Sequence, residues 1–380
     1  MSETRLLTLD LRHDHRGRSK HERLKDHLVS EMIAGRLKPG ETLPSEHRLV
    51  ATLGVARTTV RQAMASLEND GLVRRVQGKG TFVEDDAQRK LKRGQDIFAL
   101  VVPATRGGFY PSLLHGFEAA AGDIRHQTTI CTTDNDVAKQ GDIILQLLDN
   151  KVGGVAINPT DSPSTPAYQI RQLQKHGIPV VFCHRRVEGI AAPLLAIPFR
   201  EVGRFAGKIL MEHGHRRVAF FVTRPSPTVQ AYEEGLQEAL RTGGSDIPIQ
   251  IVHVAESMTS LSEEAVWTAL QQTFANPDPP TAIWTSFDSL AEVIYLLLPQ
   301  LGLRVPEDVS LLGFGGAFRE GALTRRLTSV VVDEIATGRQ AASLLHEMRR
   351  GERAIDDNTE IVMELSLSEG ETLGTPALCK

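Results

Sequence analysis

Three cysteines in 380 residues, at positions 131, 183 and 379, are odd in number and form no CxxC pair. They support neither a disulfide framework nor a zinc ribbon. Long apolar runs are missing too: the longest, Ala291–Leu298, is broken by Glu292, far short of the roughly 20 residues that span a bilayer. The first twenty residues carry Arg5, Arg12, Arg16 and Arg18 and lack the apolar stretch of a secretory leader. These absences predict a reduced, cytoplasmic protein with no membrane partner. G-x-S-x-G, H-E-x-x-H and P-loop patterns do not occur either. Gly313-x-Gly315-Gly316 is too short for a dinucleotide fingerprint, and His213-x-His215 has no third ligand at metal spacing. The expectation is a protein that is not an enzyme and holds no cofactor and no metal.

What is there is an ordinary globular composition, 41% hydrophobic and 24% charged, in a chain long enough for two or three domains. The small net charge of −4 hides an asymmetry: residues 1–93 hold 19 basic against 13 acidic side chains, residues 94–380 hold 24 against 34. A basic head on an acidic body suits a chain that sets one end on phosphates, although a solvated charge fluctuation would look the same.

Residues 43–83, LPSEHRLVATLGVARTTVRQAMASLENDGLVRRVQGKGTFV, are the most specific stretch. A first helix over about Ser19–Ala34 is predicted by the helical spacing of Leu24, Leu28, Val29, Met32 and Ile33. Gly35 stops it, and Ser45 caps a second helix through about Leu53. Gly54-Val55 turns the chain into a third helix, about Ala56–Asn69. There Val60, Ala63, Met64 and Leu67 form one apolar side, while Thr58, Arg61 and Gln62 face away, flanked by Arg57 and Thr59. Guanidiniums, hydroxyls and an amide on an exposed helix suit guanine, phosphate and adenine in a major groove. Leu72–Val76 and Thr81–Val83 make a two-stranded wing with Gly78-Lys79-Gly80 at its tip.

Across roughly residues 19–84 this segment resembles the GntR family of bacterial transcription regulators. The matching motifs are LPSE, LGVARTTVRQA, LENDGLV and GKGTFV. The resemblance implies a winged helix-turn-helix that binds double-stranded DNA. Its contacts fall on Arg57, Thr58, Thr59, Arg61 and the backbone at Gly78, with Ser45, Arg48, Gln62 and Lys79 as further candidates. His47 stands where the family usually has Arg, and Arg48 beside it is the natural substitute.

From Ile97 onward short apolar strands alternate with helical stretches, and the rhythm restarts at Val218–Val222. Two successive runs of βαβ units predict an α/β body of two parallel sheets, hence two lobes, with ligands outside the carboxyl ends of the strands. GFYPSLLHGFEAAA, GIPVVFCHR, TAIWTSFDSLA and LGLRVPEDVSLLGFGG resemble the effector domain of the LacI family, itself similar to type I periplasmic sugar-binding proteins. The whole chain thus resembles arabinose-repressor-type chimeras. The resemblance implies an N-terminal extension (1–18), a DNA-binding domain (19–84), a linker (85–95) and an effector domain (96–380). Lobe 1 would comprise about 96–198 and 319–354, lobe 2 about 199–316 and 358–370. Crossings between lobes are expected near Pro198, Gly316–Arg319 and Ile355–Thr359, with a last strand over Glu360–Leu367 in lobe 2.

Ligand positions carried over are Phe109, Tyr110, Arg185 and Asp288, with Tyr232 where the family motif has Arg. Trp284, at a strand end, fits core or cleft equally. His184 stands where Asp is common, Phe287 replaces Asn, and Gly315-Gly316 replaces an acidic pair. An aromatic face beside a carboxylate suits a polyhydroxylated ligand, so a carbohydrate effector is expected. The reading is a homodimeric regulator, a repressor by expectation, on a pseudo-palindromic operator. The alternatives are a winged helix joined to an enzyme-derived body, or a sensor that no longer binds DNA.

Overall fold

The computed structural model describes residues 19–87, 94, 96–105, 110–161, 163–244, 249–254, 262–316, 321–323 and 326–376. The chain divides into two compact units, through Asp96 and from Ile97 on.

In the head, α1 (Lys20–Ile33), α2 (Glu46–Leu53) and α3 (Arg57–Asn69) precede strands β1 (Val73–Val76) and β2 (Gly80–Val83). Ser19 and Glu22 close a reciprocal capping box on α1. Leu24, Leu28 and Met32 of α1 are buried with Leu49, Leu53, Val60, Met64 and Leu67 in one core. Side chains of this size contribute about 1.5–3 kcal/mol each when fully buried. The wing is broader than its sequence suggests: Thr42 bridges Phe82, and Leu43 N–H donates to the Thr81 carbonyl at 2.8 Å. Ala87 is fully buried in the head core. The segment expected as linker from 85 therefore begins as part of the head; residues 88–93 and 95 lie outside the described residues, as does the extension 1–18.

The body opens with β3 (Ile97–Val102), α4 (Tyr110–Asp123), β4 (Gln127–Thr132), α5 (Val137–Asp149), β5 (Gly154–Ile157), α6 (Ala167–Lys175), β6 (Val180–His184) and β7 (Leu194–Ala196). It continues with α7 (Phe199–Glu212), β8 (Val218–Val222), α8 (Pro227–Thr242), β9 (Gln250–His253), α9 (Glu263–Phe274), β10 (Ala282–Thr285), α10 (Asp288–Leu297) and β11 (Ser310–Gly316). It ends with β12 (Thr328–Val332), α11 (Glu334–Arg350), β13 (Glu360–Val362) and β14 (Leu365–Ser368). Two six-stranded sheets result, in the orders β13-β7-β6-β5-β3-β4 and β14-β12-β11-β10-β8-β9. The first is parallel throughout; in the second only β14 runs antiparallel.

Both sheets are covered on both faces, which is why their strands read as continuous apolar runs. Along β8, Phe220 and Val222 face α7 and α8 while Ala219 and Phe221 face α9 and α10. Each lobe has one helix pair in backbone contact. A Cβ on Gly338 of α11 would lie 2.2 Å from the Leu113 carbonyl oxygen of α4, and one on Gly235 of α8 would lie 1.9 Å from that of Arg200 in α7.

Two expected lobe boundaries are corrected by the pairing. β12 is hydrogen-bonded parallel to β11, so the chain does not change lobes around Gly316–Arg319 (residues 317–320 are outside the described set). It crosses at Asp333, because α11 packs on α4, β5 and β6 of the first lobe. The last crossing likewise moves from Ile355–Thr359 to Met363-Glu364: β13 pairs with β7 in the first lobe and β14 with β12 in the second. Glu360–Leu367 is therefore two strands in two sheets. The first crossing falls at Ile197-Pro198, between β7 and α7.

Candidate DNA-reading face and ligand cleft

The start of α3 is built to meet something negative. Ala56 supplies no side-chain cap, and the first turn has no acidic residue. The positive end of the helix dipole thus has neither a side-chain cap nor a carboxylate in its first turn, the arrangement that receives phosphate. Arg57, Thr58, Arg61 and Gln62 are exposed and Thr59 half-buried, while Val60, Ala63, Met64 and Leu67 point into the core.

Charge pairing separates the arginines of the head. Arg36 is paired with Glu31 and Arg75 with Glu46, both at 2.7 Å, and Arg74 with Glu84 at 3.7 Å. Arg57 and Arg61 have no ion pair among the described residues. Their charge is directed outward and is not neutralised by a carboxylate among the described residues of the head. Ser45 Oγ accepts from the Arg48 amide at 3.3 Å, so its primary work is capping α2. His47, Arg48 and Lys79 are exposed or nearly so at the surface, and Gly78 takes φ +73° at the wing tip, with open space where a Cβ would stand. That backbone conformation suits glycine.

In the body, a cavity of about 640 Å³ is walled by both lobes: Pro159, Thr160, Asp161, Arg185 and Glu188 from the first, Phe199, Pro227 and Thr228 from the second. This volume suits a small organic ligand. Its floor in the first lobe is fixed by a buried polar network. Gln140 Nε2 donates to Thr165 Oγ1 (3.0 Å) and Gln169 Oε1 (2.8 Å), and the Thr160 amide donates to Thr165 Oγ1 (2.8 Å). Arg185 Nη1 donates to the Pro159 carbonyl at 3.0 Å, and its guanidinium lies over the Phe199 ring at 5.7 Å, reaching from one lobe to the other.

Behind the cavity the first lobe holds a chain of buried polar groups. Asn158 Nδ2 contacts His184 Nδ1 at 2.9 Å, and His184 Nε2 contacts Glu334 Oε2 at 3.0 Å. His184 and Glu334 have fully buried side chains. The Arg185 amide donates back to the Cys183 carbonyl (2.9 Å) around His184, whose φ is +69°. This tight turn about a non-glycine residue is a strained conformation that surrounding contacts must hold. Asn158 Oδ1, Glu334 Oε1, Arg185 Nε and Trp284 Nε1 are buried and carry no hydrogen bond.

The expected ligand residues are distributed more widely than the resemblance implied. Arg185 lines the cavity. Tyr110 is buried, its hydroxyl 3.4 Å from Asn158 Nδ2. Burial pushes its pKa up to about 12, with Arg185 pulling the other way. Burial also raises the pKa of Tyr232, whose ring packs edge-on against Phe199 and Phe220. Trp284 is fully buried and stacks on Phe220 at 4.3 Å with Tyr232 edge-on at 5.6 Å; of core and cleft, its ring takes the core.

Asp288 sits on the α9/α10 face of the second sheet. Ser329 Oγ donates to its Oδ1 at 2.6 Å, and its carboxylate fills the space a Cβ would need at Gly313 and Gly315. It does not line the cavity between the lobes. Phe109 lies outside the described residues. Sequence reasoning missed Asn158, Thr160, Asp161, Phe199 and Glu334, none of which has a local motif. His215 contacts Thr281 Oγ1 and the Gly374 carbonyl, so it binds the C-terminal segment.

Residues 20–83 match the family of bacterial regulatory proteins, gntR family, and residues 208–373 match the periplasmic binding protein-like domain. The arabinose metabolism transcriptional repressor of Geobacillus stearothermophilus is 27% identical over 354 residues, covering 90% of this chain and 94% of the relative. The protein of the same description from Halalkalibacterium halodurans is 26% identical, covering 92% and 95%. Among solved structures, a LacI family transcriptional regulator from Enterococcus faecium with bound ribose superposes with a TM-score of 0.59 at 19% identity, covering 73% of this chain and 99% of that one.

Proposed function

We propose that this chain, a GntR-type winged helix joined to a LacI-like two-lobed domain and thus a ligand-controlled DNA-binding regulator, is a cytoplasmic repressor released or engaged by a sugar. The observation that carries the DNA half is the outward placement of Arg57 and Arg61, without ion pairs among the described residues, at the uncapped start of α3. Arg57 and Arg61 read base edges or grip phosphates, Thr58, Thr59 and Gln62 add hydroxyl and amide contacts, and Lys79 with Gly78 brings the wing to the backbone. His47, Arg48 and Ser45 border the same face. Two heads of a homodimer then occupy the half-sites of a pseudo-palindrome.

The sugar reading is supported by the two-lobed cavity and by the relatives described as arabinose metabolism repressors. The ligand contacts both walls, through Arg185 and Asp161 on one side and Phe199 and Thr228 on the other. It stabilises one lobe arrangement over another, and coupling of ~1–3 kcal/mol between ligand and DNA follows from that difference alone. A gel-shift series on the DNA upstream of its own gene, with and without L-arabinose or D-ribose, tests both halves. Retarded DNA whose midpoint moves with one sugar is expected; no retarded species would remove the DNA half, and no response to either sugar would weigh against the effector class.

A further inference from the structure

We propose that the ligand cleft continues past Pro227 into a second sugar subsite on the second lobe, and that the effector is a neutral disaccharide or longer chain, with one unit in the cavity between the lobes and the next between α8 and β9. The proposal rests on the reading of the cleft as a sugar site and names the size and chemistry of the sugar.

A second cavity, of about 400 Å³, opens beside the first. Pro227 lines both, so the two meet at the start of α8. The sheet dictates the place. β8 and β9 are neighbouring parallel strands, and α8 follows β8. The cavity takes His253, the last residue of β9, on one side and Pro225, just beyond β8, on the other. It thus lies outside the carboxyl ends of two strands, where open α/β sheets hold ligands. The wall between the cavities is stiff. Pro227 fixes its own φ at the first position of the helix, and Ser226 Oγ accepts from the Val229 amide at 3.2 Å.

The lining has the chemistry of a sugar site. Pro225, Pro227 and Ile251 offer C–H surface, and Gln230, Glu233 and His253 stand among them. The side chains of Glu233 and His253 have no hydrogen bond or ion pair among the described residues, so their capacity is open to the hydroxyls of a ligand. Among the described residues no lysine or arginine lines this cavity. A phosphate or carboxylate would therefore meet Glu233 with no cation to offset it, and a neutral unit is selected. Size points the same way. The first cavity alone, at about 640 Å³, falls within the ~300–1,000 Å³ that encloses drug-sized ligands. A single pentose is smaller than such a ligand and leaves the second cavity to water. A linked second unit lays its ring on Pro225 and Ile251 and turns its hydroxyls toward Gln230, Glu233 and His253.

Full-length protein would be titrated calorimetrically with two matched pairs, L-arabinose with L-arabinobiose and D-glucose with cellobiose. The wild type would be compared with Glu233→Ala and with the double variant Glu233→Ala/His253→Ala. For one pair the disaccharide should bind at least about tenfold tighter than its monosaccharide. Glu233 and His253 are exposed, so both variants should melt as the wild type does. They should remove that advantage, a loss of roughly tenfold for a hydrogen bond to a charged group, and leave the affinity for the monosaccharide unchanged. A disaccharide no tighter than its unit, or one whose advantage survives the double variant, overturns the proposal and leaves the sugar site standing. Equal weakening of both members of a pair overturns it too, because the loss then lies in the fold and not in a second subsite. Failure of all four sugars to bind overturns the sugar reading, and the proposal with it.

Discussion

Gly235 and Arg200 meet backbone to backbone: a Cβ on the glycine would lie 1.9 Å from the arginine's carbonyl oxygen, closer than any real contact. Gly203 repeats the relationship in reverse against the Tyr232 carbonyl at 2.0 Å. The α7–α8 pair is therefore locked, and with it Tyr232. Gly235→Ala should force the helices apart and cost ~1–3 kcal/mol, read as a lower melting temperature of the full chain. An unchanged melting temperature would mean the contact can relax.

Operator binding should depend on Arg57 and Arg61 separately from folding, because both are exposed and neither is ion-paired among the described residues. Arg57→Ala should weaken operator binding by ~1–3 kcal/mol if it reads a base, or reduce the salt slope by about one if it grips a phosphate. Gel shifts at several salt concentrations distinguish the two. Arg75→Ala, whose guanidinium is held by Glu46 at 2.7 Å, should matter less to binding.

Family resemblance places the Asp288 carboxylate in the ligand site. Its 2.6 Å bond from Ser329 and its fit over Gly313 and Gly315 predict a different phenotype. Asp288→Ala should lower stability by ~1–3 kcal/mol, the cost of a lost charge-assisted bond from Ser329 and of the space opened over Gly313 and Gly315, while ligand affinity changes little. Loss of ligand response at an unaltered melting temperature would return the carboxylate to the cleft.

Acidification should loosen the C-terminal segment. Burial depresses the pKa of His215, which contacts Thr281 Oγ1 at 3.0 Å and the Gly374 carbonyl at 2.9 Å. A base whose folded pKa lies below its unfolded value of about 6.5 contributes stability above that pH, and the contribution is lost as pH falls through the folded pKa. Melting temperatures at pH 7.5 and 5.0 should differ less in His215→Gln than in the wild type.

The head is legible in the sequence because its signals are local. Leu24, Leu28 and Met32 recur at helical spacing, Ser45 precedes its helix, and Gly54 and Gly78 mark turns; helix ends fall within a residue or two of expectation. In the body the strands are legible and their sheet membership is not. LTSVVV reads as a strand in either lobe, and only hydrogen bonding to β11 decides. The side chain of Trp284 cannot be aimed from sequence, since a strand covered on both faces has no polar side to set its register. The His184–Glu334 pair joins residues 150 apart, so only tertiary structure brings them together; the one local hint is His184 standing where Asp is common.

The two strands β13 and β14, separated only by Met363 and Glu364, close opposite sheets. A nascent chain thus lacks one edge strand of each sheet until residues 360–368 are made, whereas the head's core, among the described residues, draws on nothing beyond Ala87. Late nonsense alleles should accordingly damage both halves of the sensor at once and spare the DNA-reading module, and genetics would meet them as a loss of control before a loss of binding.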